Sequence, residues 1–204
     1  MFIAFMTLVI LASAALTGGR FSGFAQLRVR CSWPIMAALA VQILITSVVP
    51  GAPKPLLVGL HLATYAVAGV AIWANRSLPG LVVIGVGALL NAVTIALNGG
   101  TLPASARALA EAGFPVDTKD FENSGVLAHP VLGWLGDIVA TPSWLPYRNV
   151  ISIGDMVLLL GATILVHGVM RTVPARVIAH RFARTTDQQR GRRLHLNRCS
   201  LPGR

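Results

Sequence analysis

Charged residues are what this chain has least of. Only 12% of its 204 residues are Asp, Glu, Lys or Arg, about half the share usual in soluble domains. Acids are scarcest, with seven against 17 Lys and Arg. Cysteine is nearly absent, with only Cys31 and Cys199. Two lone cysteines give no metal-ligand spacing. Both fall in segments assigned below to the reducing cytoplasm, which argues against a disulfide. No Lys follows the glycines in phosphate-loop spacing, so nucleotide binding has no support. No metal or other cofactor is called for. The opening run MFIAFMTLVILASAAL lacks the basic segment of a cleaved leader and reads as a retained first helix. No internal repeat stands out.

What is there is apolar length. Hydrophobic residues make up 54% of the chain, and mean hydropathy is +0.69. A membrane-spanning helix needs roughly 20 mostly apolar residues, at the least about 17. Five stretches qualify: about 1–17, 33–50, 55–74, 80–98 and 149–170. GAPKP and RSLPG mark joints between them. The expected fold is all-α, a polytopic membrane bundle of five helices over 1–170, followed by a basic tail over 171–204.

Arginine sets the orientation. Segment 18–32, the joint 75–79 and the tail together hold 13 basic residues, nine of them in the tail. The alternate segments hold four: Lys54, Arg107, Lys119 and Arg148. Basic loops face the cytoplasm. The expectation is a bacterial inner-membrane protein with its N-terminus outside and its tail inside. Asn75-Arg-Ser, a glycosylation pattern, then lies on the wrong side for modification. Within the tail, VPARVIAHRF reads as a short helix on the inner leaflet, drawn to anionic lipid. Nucleic acid is a poor alternative partner, since no binding fold or interleaved aromatics accompany the arginines.

One long segment, 99–148, falls outside. It opens with NGGTLP, continues through the short amphipathic helix RALAEAGF, and then carries an acidic patch of Asp117, Asp120 and Glu122. The apolar stretch VLAHPVLGWLGDIVATPSWLPY follows, broken by Pro130, Pro142 and Pro146. It reads as a re-entrant or interfacial segment, with Trp134, Trp144 and Tyr147 at headgroup level. Loops of this length in small proteins are usually functional.

Polar residues within the spans are few: Gln42, His61, Asn91, Asp155 and His167. The first four fall at one depth, ~9–12 Å from the outer helix ends at 1.5 Å per residue. A charge in mid-bilayer costs at least about 2.5–3.5 kcal/mol, so these groups are expected to turn inward and face one another. His167, near the inner end, is expected to snorkel toward the cytoplasm. Asn98, Gly99 and Gly100 end the fourth span, where Asn98 can satisfy helix-end carbonyls, and Ser152 opens the fifth. Gln42, His61, Asn91, Asn98, Gly99, Gly100 and Ser152 thus form the candidate polar site.

Asp137, in WLGDIVATP, is a second acid able to reach the Asp155 level from outside. Two carboxylates about 3 Å apart share one proton, an arrangement suited to acid–base hydrolysis. Alternatively, Arg148 neutralises one acid, or Asp137 caps a helix. Three classes of function follow. The polar site could hold a lipid, peptide or partner helix; Asp137 and Asp155 could be the catalytic pair of an intramembrane aspartyl hydrolase; or His61 and Asp155 could relay protons in a small transporter.

NGGTLP (98–103), LGDIVATP (135–142) and NVISIGDMVLLLG (149–161) together resemble a family of small bacterial membrane proteins catalogued as a domain of unknown function. Its members share an Asn-Gly-Gly-x-x-Pro turn, a Gly-Asp-x-x-x-x-Pro turn and a Ser-x-Gly-Asp helix start. The resemblance implies a polytopic membrane protein and no particular activity. The C-terminal part is more weakly similar to signal peptidase II, the lipoprotein signal peptidase family. That similarity implies an intramembrane aspartyl protease acting on a lipopeptide, with Asp137 and Asp155 as its aspartates. Ser152 stands where that family has asparagine, and its Gly-Asn-x-x-Asp-Arg motif is absent.

Overall fold

The structure, a computed structural model, describes residues 2–45, 52–114 and 124–178. The acidic patch 117–122, the Cys199 thiol and residues 179–204 of the basic tail lie outside that range. The chain is mostly helical. Its long helices are α1 (Phe2–Leu16), α3 (Ser32–Ile43), α4 (Lys54–Ala74), α5 (Leu81–Leu97) and α7 (Ile153–Val169), with α2 (Ser22–Ala25) a single turn between the first two.

Among the described residues, one helix, α4, is long and apolar enough by length and composition to cross a membrane. The other four are apolar but shorter, at 12 to 17 residues. Local chemistry explains one of the shortened ends. The apolar run at 149 does not enter a helix at once. Val150–Ser152 pairs as a strand, and Ser152 caps α7.

Contacts fix the helix directions. Gln42 bonds His61 near the C-terminus of α3 and the N-terminus of α4, while Asn75 at the far end of α4 bonds the backbone of Arg30. These two helices are therefore antiparallel. The Asn75 amide accepts from Arg30 N at 2.7 Å and donates to Arg30 O at 2.8 Å, fixing that joint. Helices α1 and α7 run parallel. Phe5 lies on Tyr147 just ahead of α7, while Ser13 bonds His167 and Arg20 N bonds Met170 O. His167 is thus tied to Ser13 and Thr172 rather than reaching freely outward.

The most extensive helix pairing is antiparallel, α5 against α7, and it is a glycine seam. Gly80 and Gly87 on one side face Gly154 and Gly161 on the other, while Gly168 packs on Pro79. Residues seven apart fall on one helix face. A Cβ at Gly87 or Gly161 would overlap the opposing backbone. Close backbone approach of this kind is the usual basis of packing between apolar helices.

Segment 99–148 corrects the all-α expectation. It contains β1 (Leu102–Pro103), α6 (Ala106–Ala112), β2 (Ser124–Gly125), a 3-10 turn (Gly133–Leu135) and β3 (Asp137–Ala140), and β4 (Val150–Ser152) follows it. β1 pairs parallel with β2, and β3 pairs antiparallel with β4. No re-entrant helix forms over 126–147: the backbone of β3 is satisfied by a ladder to β4 instead. Ser105 caps α6, Gly113 ends it with φ +76°, and its Ala108 and Ala112 pack with Val150, Leu109 and Ala140.

Candidate functional site

Helix α7 begins with a capping box. Asp155 N donates to Ser152 Oγ at 2.9 Å, and Ser152 N donates to Asp155 Oδ2 at 3.1 Å. Such reciprocal bonds satisfy helix-end donors that apolar surroundings would leave bare. Asn91 of α5 completes the group. Its amide donates to Asp155 Oδ1 at 2.8 Å and its oxygen accepts from Ser152 Oγ at 3.0 Å. Gly154 makes this possible, since any side chain there would overlap the Asn91 amide. Ser152 is fully buried, Asn91 is buried and Asp155 is half-buried.

Asp137 arrives from the other direction. It opens β3 and pairs with Ser152 across the antiparallel ladder, so one register places both carboxyls at the head of α7. Ala104 holds it from the second side. Ala104 N bonds Gly125 O, and Ser105 N bonds Asp137 O, both at 2.8 Å. These bonds join the two small sheets and bring Ser124 Oγ to donate to Asp137 Oδ2. Gly136 lies against the Pro103 carbonyl so closely that a Cβ would overlap it, which explains glycine before the acid. Asp137 is 8% exposed, and its Oδ1 has no hydrogen-bond partner among the described residues. Its carboxyl is pushed up to about 6, chiefly by burial, with the charge of Asp155 adding and the Ser124 hydroxyl opposing.

A second polar group lies between α3 and α4. Gln42 Nε2 and His61 Nδ1 are 2.7 Å apart, and Thr64 Oγ1 donates to Gln42 Oε1 at 3.0 Å. The His61 ring meets Tyr65 edge-on at 5.2 Å between centroids. His61 is buried, and its Nε2 has no partner among the described residues.

The candidate polar residues therefore divide. Asn91, Ser152 and Asp155 come together, with Asp137 opposite Ser152 in the strand register and bonded to Ser124; Gln42 and His61 form their own pair. Asn98 belongs to neither. It donates to Thr94 O at 2.7 Å, satisfying a helix-end carbonyl, and exchanges two 2.8 Å bonds with the backbone of Val131. Gly99 and Gly100 adopt φ of +64° and +95°, and Gly100 packs directly on Val58. Their part is to turn the chain. His61 and Asp155, paired at the sequence level as a relay, each bond a different partner. Arg148 lies against Gly113 rather than against either acid, and the single ion pair among the described residues is Arg107–Glu111. Asp137 caps no helix.

Sequence reading missed Ser124, Thr64 and the glycine seam. The seam left a signal in the seven-residue spacing of Gly154, Gly161 and Gly168. Ser124 left none, because its role depends on parallel pairing across more than twenty residues. Among the described residues, no three His, Cys, Asp or Glu side chains gather as a metal site requires.

No curated protein and no solved structure matches this chain significantly. A model of a protein family does match, over residues 26–167, a range that contains the joined sheets, the capping box and the glycine seam up to Gly161. The chain belongs to that family, DUF5317, a family of unknown function.

Proposed function

We propose that this protein is a membrane-embedded helix bundle whose extracytoplasmic end binds a polar group of a lipid, a peptide or a partner helix. Large apolar side chains stand exposed along every long helix, among them Leu8, Trp33, Val70, Leu89 and Leu160. Water does not favour that surface and lipid does. Helices of 15 to 17 residues span about 22–26 Å, and flanking residues or local thinning of the bilayer accommodate the difference. The alternating helix directions agree with the distribution of arginines.

One observation carries the binding reading: Asp137 Oδ1, buried and without a donor among the described residues. A buried polar atom left bare costs about 1–3 kcal/mol, and a ligand N–H or O–H would offset that cost. The test is a photo-crosslinking residue at Ile138, which is exposed beside Asp137. The reading expects a discrete lipid or peptide adduct in cells, diminished by Asp137→Ala. An adduct pattern indifferent to that change contradicts it.

A second reading, an intramembrane aspartyl hydrolase, draws on the effect of the Asp155 charge on Asp137. One protonated and one ionised carboxyl at the head of α7 is the state such chemistry requires. In this reading Asp137→Asn and Asp155→Asn each abolish processing of a membrane-anchored lipopeptide while the protein still inserts. Both Asp155 oxygens already serve the helix cap and Asn91, which is why binding ranks first.

A further inference from the structure

The opposite end of the molecule holds a cavity that neither reading uses. The turn after α1, the short helix α2 and the residues after α7 border about 310 Å³, lined by Arg20, Arg171, Arg176, Ser22 and Gln26, with no acidic side chain among the described residues of its wall. Backbone bonds build it: Arg20 N to Met170 O at 2.8 Å and Val173 N to Thr17 O at 3.1 Å. Gly23 lies on the Val169 carbonyl with no room for a side chain. Arg171 and Arg176 also border a second space, an apolar groove of about 510 Å³ against Ile164, Ala175 and Ile178. The two spaces thus share Arg171 and Arg176, with a polar chamber on one side and an apolar groove on the other.

Arg171 adds an independent observation. It follows the end of α7 with φ +53°, the left-handed position that ordinarily falls to glycine. Holding an arginine there is costly, and non-glycine residues in this region concentrate where a side chain is needed for function. Its guanidinium donates to Gln26 Oε1 at 3.2 Å, which aims it into the chamber.

We propose that this is a specific site for an anionic glycerophospholipid, with the phosphate held by Arg20, Arg171 and Arg176 and one acyl chain lying in the groove. Three arginines, with no carboxylate among the described lining residues, match a phosphate, which arginine grips through paired N–H donors. The adjoining groove requires that the phosphate carry a hydrocarbon chain. The proposal rests on the membrane placement above, which puts this end at the inner leaflet, where anionic headgroups lie.

The experiment titrates the full-length protein, in uncharged detergent, with phosphatidylglycerol, phosphatidylcholine and glycerol 3-phosphate, reading bound lipid by native mass spectrometry. Phosphatidylglycerol is expected to bind about tenfold more tightly than either of the others, because phosphatidylcholine brings a choline cation against the arginines and glycerol 3-phosphate lacks the chain that fills the groove. Arg171→Gly suits the left-handed backbone, so it keeps or raises the melting temperature without lipid while weakening phosphatidylglycerol about tenfold. Arg176→Gln weakens it similarly, Ala175→Trp weakens it by filling the groove, and Arg190→Gln in the tail leaves it within about twofold. Equal binding of the two lipids overturns the proposal, as does unchanged affinity in Arg171→Gly. An equal loss in Arg190→Gln would mean diffuse attraction by the tail, and glycerol 3-phosphate binding as tightly as the lipid would mean a free-phosphate site; either overturns it. Retention of the chain in carbonate-washed membranes reports the placement separately, so an embedded chain that ignores phosphatidylglycerol sinks this proposal alone.

Discussion

Gly154 leaves the space that the Asn91 amide occupies, and that amide bonds both Ser152 and Asp155 at the head of α7. One missing side chain on one helix thus permits a three-residue network that joins two helices and positions the acid. Gly154→Ala must displace Asn91 or separate the helices. Overpacking a tight contact costs about 1–3 kcal/mol, and the lost bonds add to it. Gly59, with nothing within 4 Å of a Cβ, is the control. Gly59→Ala should be neutral or stabilising by about 0.5–1 kcal/mol. Thermal melting of the purified variants checks both.

Asn91→Leu removes a donor and an acceptor together, leaving Asp155 Oδ1 and Ser152 Oγ without this partner. The expected loss is about 2–4 kcal/mol, the cost of stranding two buried polar groups. Ser152→Ala, which removes the α7 cap, should cost about 1 kcal/mol. Because both residues serve one network, the double variant should lose less than the sum of the two.

Asp137 gives the fold a pH dependence of definite sign. Its folded value of about 6 lies above the ordinary 3.8, so the folded state holds the proton more tightly than the unfolded one. Stability is therefore greatest below about pH 4 as far as this group is concerned, and falls as pH rises through the window from 3.8 to about 6. The full effect is on the order of 3 kcal/mol at 1.36 kcal/mol per unit. Asp137→Asn should abolish that slope and melt higher than the parent at pH 8, because its oxygen can still accept from Ser124. Melting curves from pH 4 to pH 8 decide it.

How much of this was legible in the sequence can be argued from a few residues. The apolar runs announced the helices; the distribution of arginines is the basis of the orientation proposed above and is tested below. Asp155, alone in an apolar stretch, pointed to a polar contact there, and it bonds Asn91 and Ser152. Val150–Ser152 could not be recognised as a strand, since a short apolar run at a helix head has no periodicity of its own. Asn98 looked like a member of the polar layer because spacing on α5 aligned it with Asn91. Its actual partner, Val131, lies in a loop whose path depends on tertiary pairing. Ser124 and the free oxygen of Asp137 likewise arise only from the joining of two small sheets through Ala104.

Breaking the Gln42–His61 pair should be mild. Gln42→Leu removes the bonds to His61 and Thr64, at about 0.6 kcal/mol per bond between apolar helices. His61→Leu also removes Nε2, which has no partner among the described residues, so its cost should be no larger. A loss of more than about 3 kcal/mol in either variant would assign this pair a larger structural part than these bonds account for.

The membrane placement on which both sites depend is tested most directly by thiol labelling in intact cells. Cys31 is exposed and sits on the arginine-rich end; Trp144, 80% exposed, sits at the opposite end. With Cys199→Ser as background, a membrane-impermeant maleimide should label Cys31 only after lysis. A Trp144→Cys variant that also carries Cys31→Ser should be labelled before lysis. Labelling of Cys31 in intact cells, or protection of both positions until lysis, would contradict the orientation and with it the assignment of the Asp137 site to the outer face.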